Sequence, residues 1–197
     1  MAEAASVDHL LGPRVTLDEW IALPEDVPGE FVDGRLVEEE VPDYLHEVLV
    51  AWLARVLGNW AEQAGAIVGA SDAKFTLSST RGRKADLTVY FAGRRPAARG
   101  ALTTPPDIAV EVVSPAPRDQ RCDRVEKMEE YGRFGIRFYW LIDPQQRLVE
   151  VYERGPDQRY VRRVQTGGGS LQDVPGCPGF TLDVDAMWTK IDALEDQ

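Results

Sequence analysis

Ten residues in the middle of the chain, Pro106-Asp107-Ile108-Ala109-Val110-Glu111-Val112-Val113-Ser114-Pro115, constrain the fold more than any other stretch. Ile108, Val110 and Val112 alternate with Ala109, Glu111 and Val113, so both faces are mostly apolar. That pattern belongs to a strand covered on both sides, in the interior of a sheet. Pro105-Pro106 before it and Ser114-Pro115 after it mark its ends. Glu111 breaks the pattern. A carboxylate in such a strand is costly unless something positive meets it. Two readings follow: a structural ion pair with an arginine, or a metal ligand or catalytic carboxylate.

The flanking sequence predicts the rest of an α/β domain. Thr16-Leu17-Asp18-Glu19 is a capping box that opens a short helix ending at Pro24. Glu30-Phe31-Val32 and Arg35 to Glu38 read as strands joined by Asp33-Gly34, a strong hairpin signal. Pro42-Asp43 starts a long helix whose apolar residues, from Leu45 to Trp60, recur at helical spacing, and Gly65 ends it. His46-Glu47 near its start resembles a metalloprotease helix, but Val50 stands where the second histidine would be. Two strands are expected at 66–68 and 74–77, a polar basic loop at 78–84, and a strand at 85–91. A basic loop follows at 93–104. After the central strand comes a helix from Arg118 or Asp119 to Phe134, capped by Gly135. At about 100° per residue, Cys122, Val125, Met128, Tyr131 and Phe134 form its apolar arc, with Asp123 and Lys127 at the arc's edge. These last two make either an exposed salt bridge or a lysine aimed across the helix–sheet seam towards Glu111. Then come a buried strand at 137–142, a hairpin at 147–164, a flexible loop at 167–170, a possible edge strand at 180–182 and a terminal helix at 186–194. The whole reads as an α/β fold, a mixed sheet flanked by helices with one strand–helix–strand unit over 107–142.

Length and composition bound the function. A chain of 197 residues, 44% hydrophobic and 28% charged, fits one soluble domain over 16–197 behind a mobile tail at 1–15. No apolar run is long enough to span a membrane, and the N-terminus lacks the pattern of a signal peptide. Cys122 and Cys177 show no CxxC spacing, which fits a reducing cytoplasm. The net charge of −11 counts against nucleic-acid binding, but it is unevenly spread. Six bases stand between Arg81 and Arg99 against one acid, Asp86. That run is either a positive rim or a solvated face.

Three residues now come together: Asp86 on one strand, Glu111 on a later one and Lys127 on the helix after it. If the strands are neighbours, the carboxylates face each other across one ladder position, about 5 Å apart. A divalent cation between them keeps both ionised. Oxygen-only ligation suits Mg²⁺ or Mn²⁺ better than Zn²⁺. A nearby ammonium stabilises a developing phosphorane charge or holds the attacking water. This is equipment for metal-assisted phosphodiester hydrolysis.

At these residues the sequence resembles the Uma-two family of endonucleases, a branch of the PD-(D/E)XK restriction-endonuclease-like superfamily. The resemblance runs from about Thr16 to Tyr160 and rests on an ordered set of pieces. They are Glu30 to Val37, His46, Asp86, Glu111-Val112-Val113-Ser114-Pro115, the helix residues Asp123, Lys127, Tyr131 and Gly135, and Tyr139 to Asp143. It implies a restriction-endonuclease-like core with Asp86 and Glu111 as ligands of Mg²⁺ or Mn²⁺ and Lys127 as the catalytic lysine. Glu30, His46 and Asp123 are then accessory groups, although for His46 a surface position at the helix start is the alternative. In the superfamily's usual pattern the lysine lies two residues after the glutamate. Val113 stands there, so Lys127 must take the role. Ala85 replaces the proline that precedes the aspartate. The implied partner is DNA, with a homodimer expected by analogy with nucleases that pair active sites. Two other functions stay open: a non-catalytic binding member of the same fold, and a hydrolase of a small phosphorylated molecule.

Overall fold

The computed structural model describes residues 12–24, 27–37 and 42–195. Its centre is an eight-stranded sheet. Strands β1 (Glu30–Val32) and β2 (Arg35–Val37) form the predicted hairpin, with both turn residues at positive φ, Asp33 at 49° and Gly34 at 78°. Beyond them lie β4 (Arg81–Tyr90), β5 (Ile108–Val112), β6 (Phe138–Asp143), β7 (Leu148–Arg154) and β8 (Tyr160–Thr166) in the order β2-β1-β4-β5-β6-β7-β8. Strand β3 (Ile67–Ser78) pairs with β4 off this path. Every pairing in this sheet is antiparallel except β5 with β6, the strand–helix–strand unit expected from the sequence.

Helices cover both faces. On one, α2 (Tyr44–Ala64) and α5 (Val184–Glu195) pack with Ile108, Val110, Val112, Phe138, Trp140 and Ile142. On the other, Tyr131 packs with Ala109, Val113, Tyr139 and Leu141. It belongs to one continuous helical run: α3 (Pro117–Arg121), a π-helical turn (Cys122–Lys127) and α4 (Met128–Phe134). A third, small cluster joins Trp20 of α1 (Leu17–Ala22) to Phe31 and Leu36 of the hairpin. All three capping expectations hold. Thr16 and Glu19 form the capping box of α1, and Gly65 and Gly135 close α2 and α4 in the left-handed conformation.

Several expectations change. The two strands at 66–68 and 74–77 are one strand, β3, which absorbs an irregularity between Ala70 and Ala73. The basic loop at 78–84 is only a turn, because β4 starts at Arg81 and buries Arg83 and Lys84. Ser170–Gln172, placed partly in a flexible loop, is β9. It pairs with β10 (Thr181–Asp183) in a separate two-stranded sheet rather than at the edge of the main one. Of the tail at 1–15, residues 1–11 lie outside the described residues. Residues 12–15 run along β2: the Leu36 amide donates to the Pro13 carbonyl at 2.9 Å and that of Val15 to Gly34 at 3.0 Å.

The apolar arc of the helix after β5 is also displaced. Asp123 and Lys127 are buried, whereas Val125 is 55% exposed. The arc was drawn at α-helical pitch, where each step of four residues advances a side chain by about 40°. The π turn takes more residues per revolution and winds the phase back. Asp123, Lys127 and Tyr131 therefore share the sheet-facing side.

Candidate active site

Glu111 lies on β5 between Ala109 and Val113, on the face that Tyr131 covers, and is 3% exposed. The partners that meet it are a lysine and a tyrosine. Lys127 Nζ stands 3.2 Å from Glu111 Oε2, and the Tyr131 hydroxyl donates to Oε1 at 2.8 Å. Of the two readings of Asp123 and Lys127, the lysine directed at Glu111 is the one realised. Lys127 is 3% exposed and also meets Asp123 Oδ1 at 3.2 Å and Glu30 Oε1 at 3.7 Å. Three carboxylates thus converge on one buried ammonium.

Asp86 occupies the neighbouring strand where β4 and β5 part. Their pairing runs Val89 with Ile108, Thr88 with Ala109 and Leu87 with Val110, and ends there. The next pair in this register would be Asp86 with Glu111. Instead, the Val112 amide donates to Asp86 Oδ2 at 2.6 Å, so the carboxylate replaces a ladder acceptor. Leu87 and Val89 pack under α2, but Ala85 packs with the cluster under α4. Residues two apart on a strand normally share a face, so β4 turns over at Asp86. The irregularity of β3 lies opposite, since Ala70 pairs with Leu87 and Ala73 with Ala85. Bulges redirect side chains in this way beside functional sites.

His46 is brought in by the first turn of α2, whose N-cap Asp43 accepts the His46 amide. Its Nε2 lies 3.2 Å from Asp86 Oδ2, and Nδ1 is buried with no hydrogen-bond partner. Burial works to lower its pKa, but the hydrogen bond and charge of Asp86 outweigh that and raise it. Of the alternatives for His46, the structure places it beside Asp86.

Glu30 is joined to the site through the hairpin. Its Oε2 accepts from Arg83 at 2.5 Å and its Oε1 from the Lys84 amide at 2.9 Å. Burial works to raise its pKa, yet Lys127 and Arg83 together lower it. Asp123 goes the other way. Burial, with the nearby charges of Asp86 and Glu30, outweighs Lys127 and pushes it up to about 6. Glu111, Lys127, Glu30 and Asp123 thus form one network, and the Asp86–His46 pair stands beside it, tied to β5 through the Val112 amide and acting by its charge on Asp123.

Two members were not identified from the sequence. Arg83, read as a loop residue, is 2% exposed and ties Glu30 to Glu130 of α4, with its Nε 2.6 Å from Glu130 Oε2. No local pattern separates a buried basic strand from a basic loop. Tyr131 was read only as part of the apolar arc and as a family match. Its bond to Glu111 needed the phase of the π turn.

The basic run at 81–99 is largely spent inside the molecule. Arg81 meets Asp33 and Glu130, Arg83 meets Glu30, the Lys84 ammonium donates to the Val27 carbonyl, and Arg94 meets Asp107 at 2.5 Å. Arg95 and Arg99 are exposed.

The Uma2 family, described as "Putative restriction endonuclease", matches residues 16–185. The chain belongs to this family. Comparison with solved structures finds the Uma2 chain similar to one described as a "putative nuclease belonging to DUF820" from Anabaena variabilis. The two are 20% identical with a TM-score of 0.69, over 89% of this chain and 98% of that one. At that identity the likeness establishes the fold, which is restriction-endonuclease-like. A comparison with curated proteins found no match. No helix among the described residues is long and apolar enough to cross a membrane.

Proposed function

We propose that this Uma2 protein is a metal-dependent endonuclease that hydrolyses phosphodiester bonds in DNA. The observation that carries the reading is the contact of buried Lys127 with buried Glu111 at 3.2 Å, beside the point where β4 releases Asp86 from the ladder. A buried lysine paired with a carboxylate can be structural. A second carboxylate at the adjacent register position, 22% exposed, favours chemistry.

The donor set suits a hard divalent cation in kind. Asp86 and Glu111 would hold it through carboxylate oxygens. No group of three His, Cys, Asp or Glu side chains among the described residues is arranged around a cation position. That still fits Mg²⁺, which usually keeps several waters and takes one or two carboxylates plus substrate phosphate oxygens. A cation held there would supply polarisation of a phosphoryl oxygen and a lowered pKa for bound water. The remaining work falls to the chain itself. Lys127 brings a fixed positive charge towards the charge that develops on phosphorus. Asp123 and Glu30 hold that ammonium in place. His46 and the Val112 amide fix Asp86.

The test is incubation of plasmid and single-stranded DNA with the protein in Mn²⁺, Mg²⁺ or EDTA, beside Glu111→Ala and Lys127→Ala. Metal-dependent cleavage lost in both variants is expected. Linearisation rather than nicking is the product expected of paired sites in a homodimer. Cleavage by Glu111→Ala would exclude this site. A second reading, a non-catalytic binding protein on the same fold, draws on the net charge of −11 and the internal use of the basic run. No cleavage of either DNA, with no metal-induced rise in melting temperature, is its signature.

A further inference from the structure

We infer that Tyr131 is a positioning residue that sets the cation affinity of the site by fixing the carboxylate of Glu111. The inference rests on the functional reading above and extends it to a residue with no role so far. Tyr131 is wholly buried among Ala109, Val113, Tyr139 and Leu141. A phenylalanine would fill that space without the cost of burying a hydroxyl, about 1–3 kcal/mol unless it is paired. The hydroxyl is paired, and with the one charged residue of β5. Its single proton has two acceptors in reach, Glu111 Oε1 at 2.8 Å and the Lys84 carbonyl at 3.4 Å. The shorter contact, to an ionised carboxylate, is the stronger. The hydroxyl therefore lies between the strand that carries Glu111 and the backbone of the strand that carries Asp86, where the two part.

The ring is held as firmly as the hydroxyl. Tyr139 packs edge-on against it, with ring centroids 5.4 Å apart and planes at 90°. The Tyr139 hydroxyl in turn donates to the Asp123 carbonyl in the π turn, at 3.0 Å. Burial and the neighbouring Glu111 charge push the Tyr131 phenol well above its ordinary pKa, so it remains a donor. With Lys127 on Oε2 and Tyr131 on Oε1, two donors four residues apart on one helical run set the plane of the carboxylate. Outer partners of this kind orient a ligand, and their removal typically weakens metal binding about 10–100-fold.

The experiment compares wild type, Tyr131→Phe and Tyr160→Phe by titrating Mn²⁺ against melting temperature and, independently, by the electron paramagnetic resonance signal of free Mn²⁺. Tyr131→Phe keeps the ring that packs on Tyr139, so its fold should persist by circular dichroism. Its half-saturating Mn²⁺ concentration should rise about tenfold. Metal-dependent cleavage should fall in parallel and recover at high Mn²⁺. Tyr160→Phe removes another inward hydroxyl, one that donates to the Ile136 carbonyl, and should leave the Mn²⁺ titration unchanged. An unchanged or tighter Mn²⁺ response in Tyr131→Phe, with a wild type that binds and cleaves, overturns this inference alone. So does an equal loss in Tyr160→Phe, since any lost hydroxyl would then suffice. A wild type that neither binds Mn²⁺ nor cleaves DNA overturns the functional reading and this inference with it.

Discussion

Lys127 decides the character of the site. It faces Glu111, Asp123 and Glu30, all buried, and holds together three carboxylates that would otherwise repel. Removing one partner of a buried charge cluster costs about 3–5 kcal/mol, far more than a surface pair is worth. Lys127→Ala should therefore lower the melting temperature strongly. Mn²⁺ should restore more stability to this variant than to wild type, because a cation at Glu111 replaces part of the lost charge. Equal Mn²⁺ shifts in the two proteins would argue against a cation at Glu111. Acidification probes the same residues. Asp123, pushed up to about 6 by burial and the charges of Asp86 and Glu30 against the pull of Lys127, binds a proton in the folded state before it does so unfolded. It therefore adds stability as pH falls from about 6 towards its ordinary value. His46, with a raised pKa beside Asp86, Glu47 and Asp43, contributes stability that is present below its ordinary value and lost as pH rises through the raised one. Glu30 opposes both only at lower pH, since its depressed pKa confines its loss to values below the ordinary carboxylate range. Melting temperature should then fall between pH 5.5 and 7.5, with a smaller fall in Asp123→Asn. An identical pH profile in that variant would remove Asp123 from the account.

At the scale of elements, the π turn controls the site. Its extra residue brings Asp123 and Lys127 onto the sheet-facing side and leaves Val125 in solvent. Deleting Val125 should convert the turn to α-helix and rotate the residues before it by about 100° relative to Lys127. Far-UV circular dichroism should hardly change, while DNA cleavage and the Mn²⁺ shift in melting temperature should both be lost. Retained cleavage would show that the phase of the helix is immaterial. The same turn marks a limit of sequence reading. The Asp33-Gly34 hairpin, the Thr16 capping box, the Gly65 cap and the buried strand around Glu111 were legible because each has a local chemical signature. Asp86, Glu111 and Lys127 could be proposed as a set because their order along strand, strand and helix is itself a pattern. The inward face of the helix was not, since nothing local distinguishes an inserted residue from regular α-helical spacing. The burial of Arg83 was hidden for a related reason, because its partners Glu30 and Glu130 come from a distant hairpin and helix.

At the scale of the whole molecule, the N-terminal unit of α1 and the hairpin joins the rest of the sheet through a short β1–β4 ladder and a few charged contacts, and one of its residues, Glu30, reaches the site. Lys74 of β3 is 6% exposed and donates to the Trp20, Ile21 and Leu23 carbonyls at the end of α1, at 2.8, 3.4 and 2.5 Å. Its ammonium also lies 5.4 Å from the Trp20 ring centroid. Gly82 of β4 makes room for that ring, because a Cβ there would come within 2.4 Å of it. Lysine-to-carbonyl bonds of this kind are worth about 1.5–3 kcal/mol each when charge-assisted. Lys74→Met keeps most of the aliphatic stem but leaves the three carbonyls without that donor. The expected result is local. Amide hydrogen exchange should accelerate over α1, β1 and β2, while β5, β6 and β7 keep their protection, because those strands have cores of their own under α2 and α4. Cleavage should also weaken, since a loosened hairpin carries Glu30 away from Lys127 and Arg83. Uniform acceleration across all strands would instead mean that the hairpin and the sheet unfold as one unit, with Lys74 acting on global stability alone.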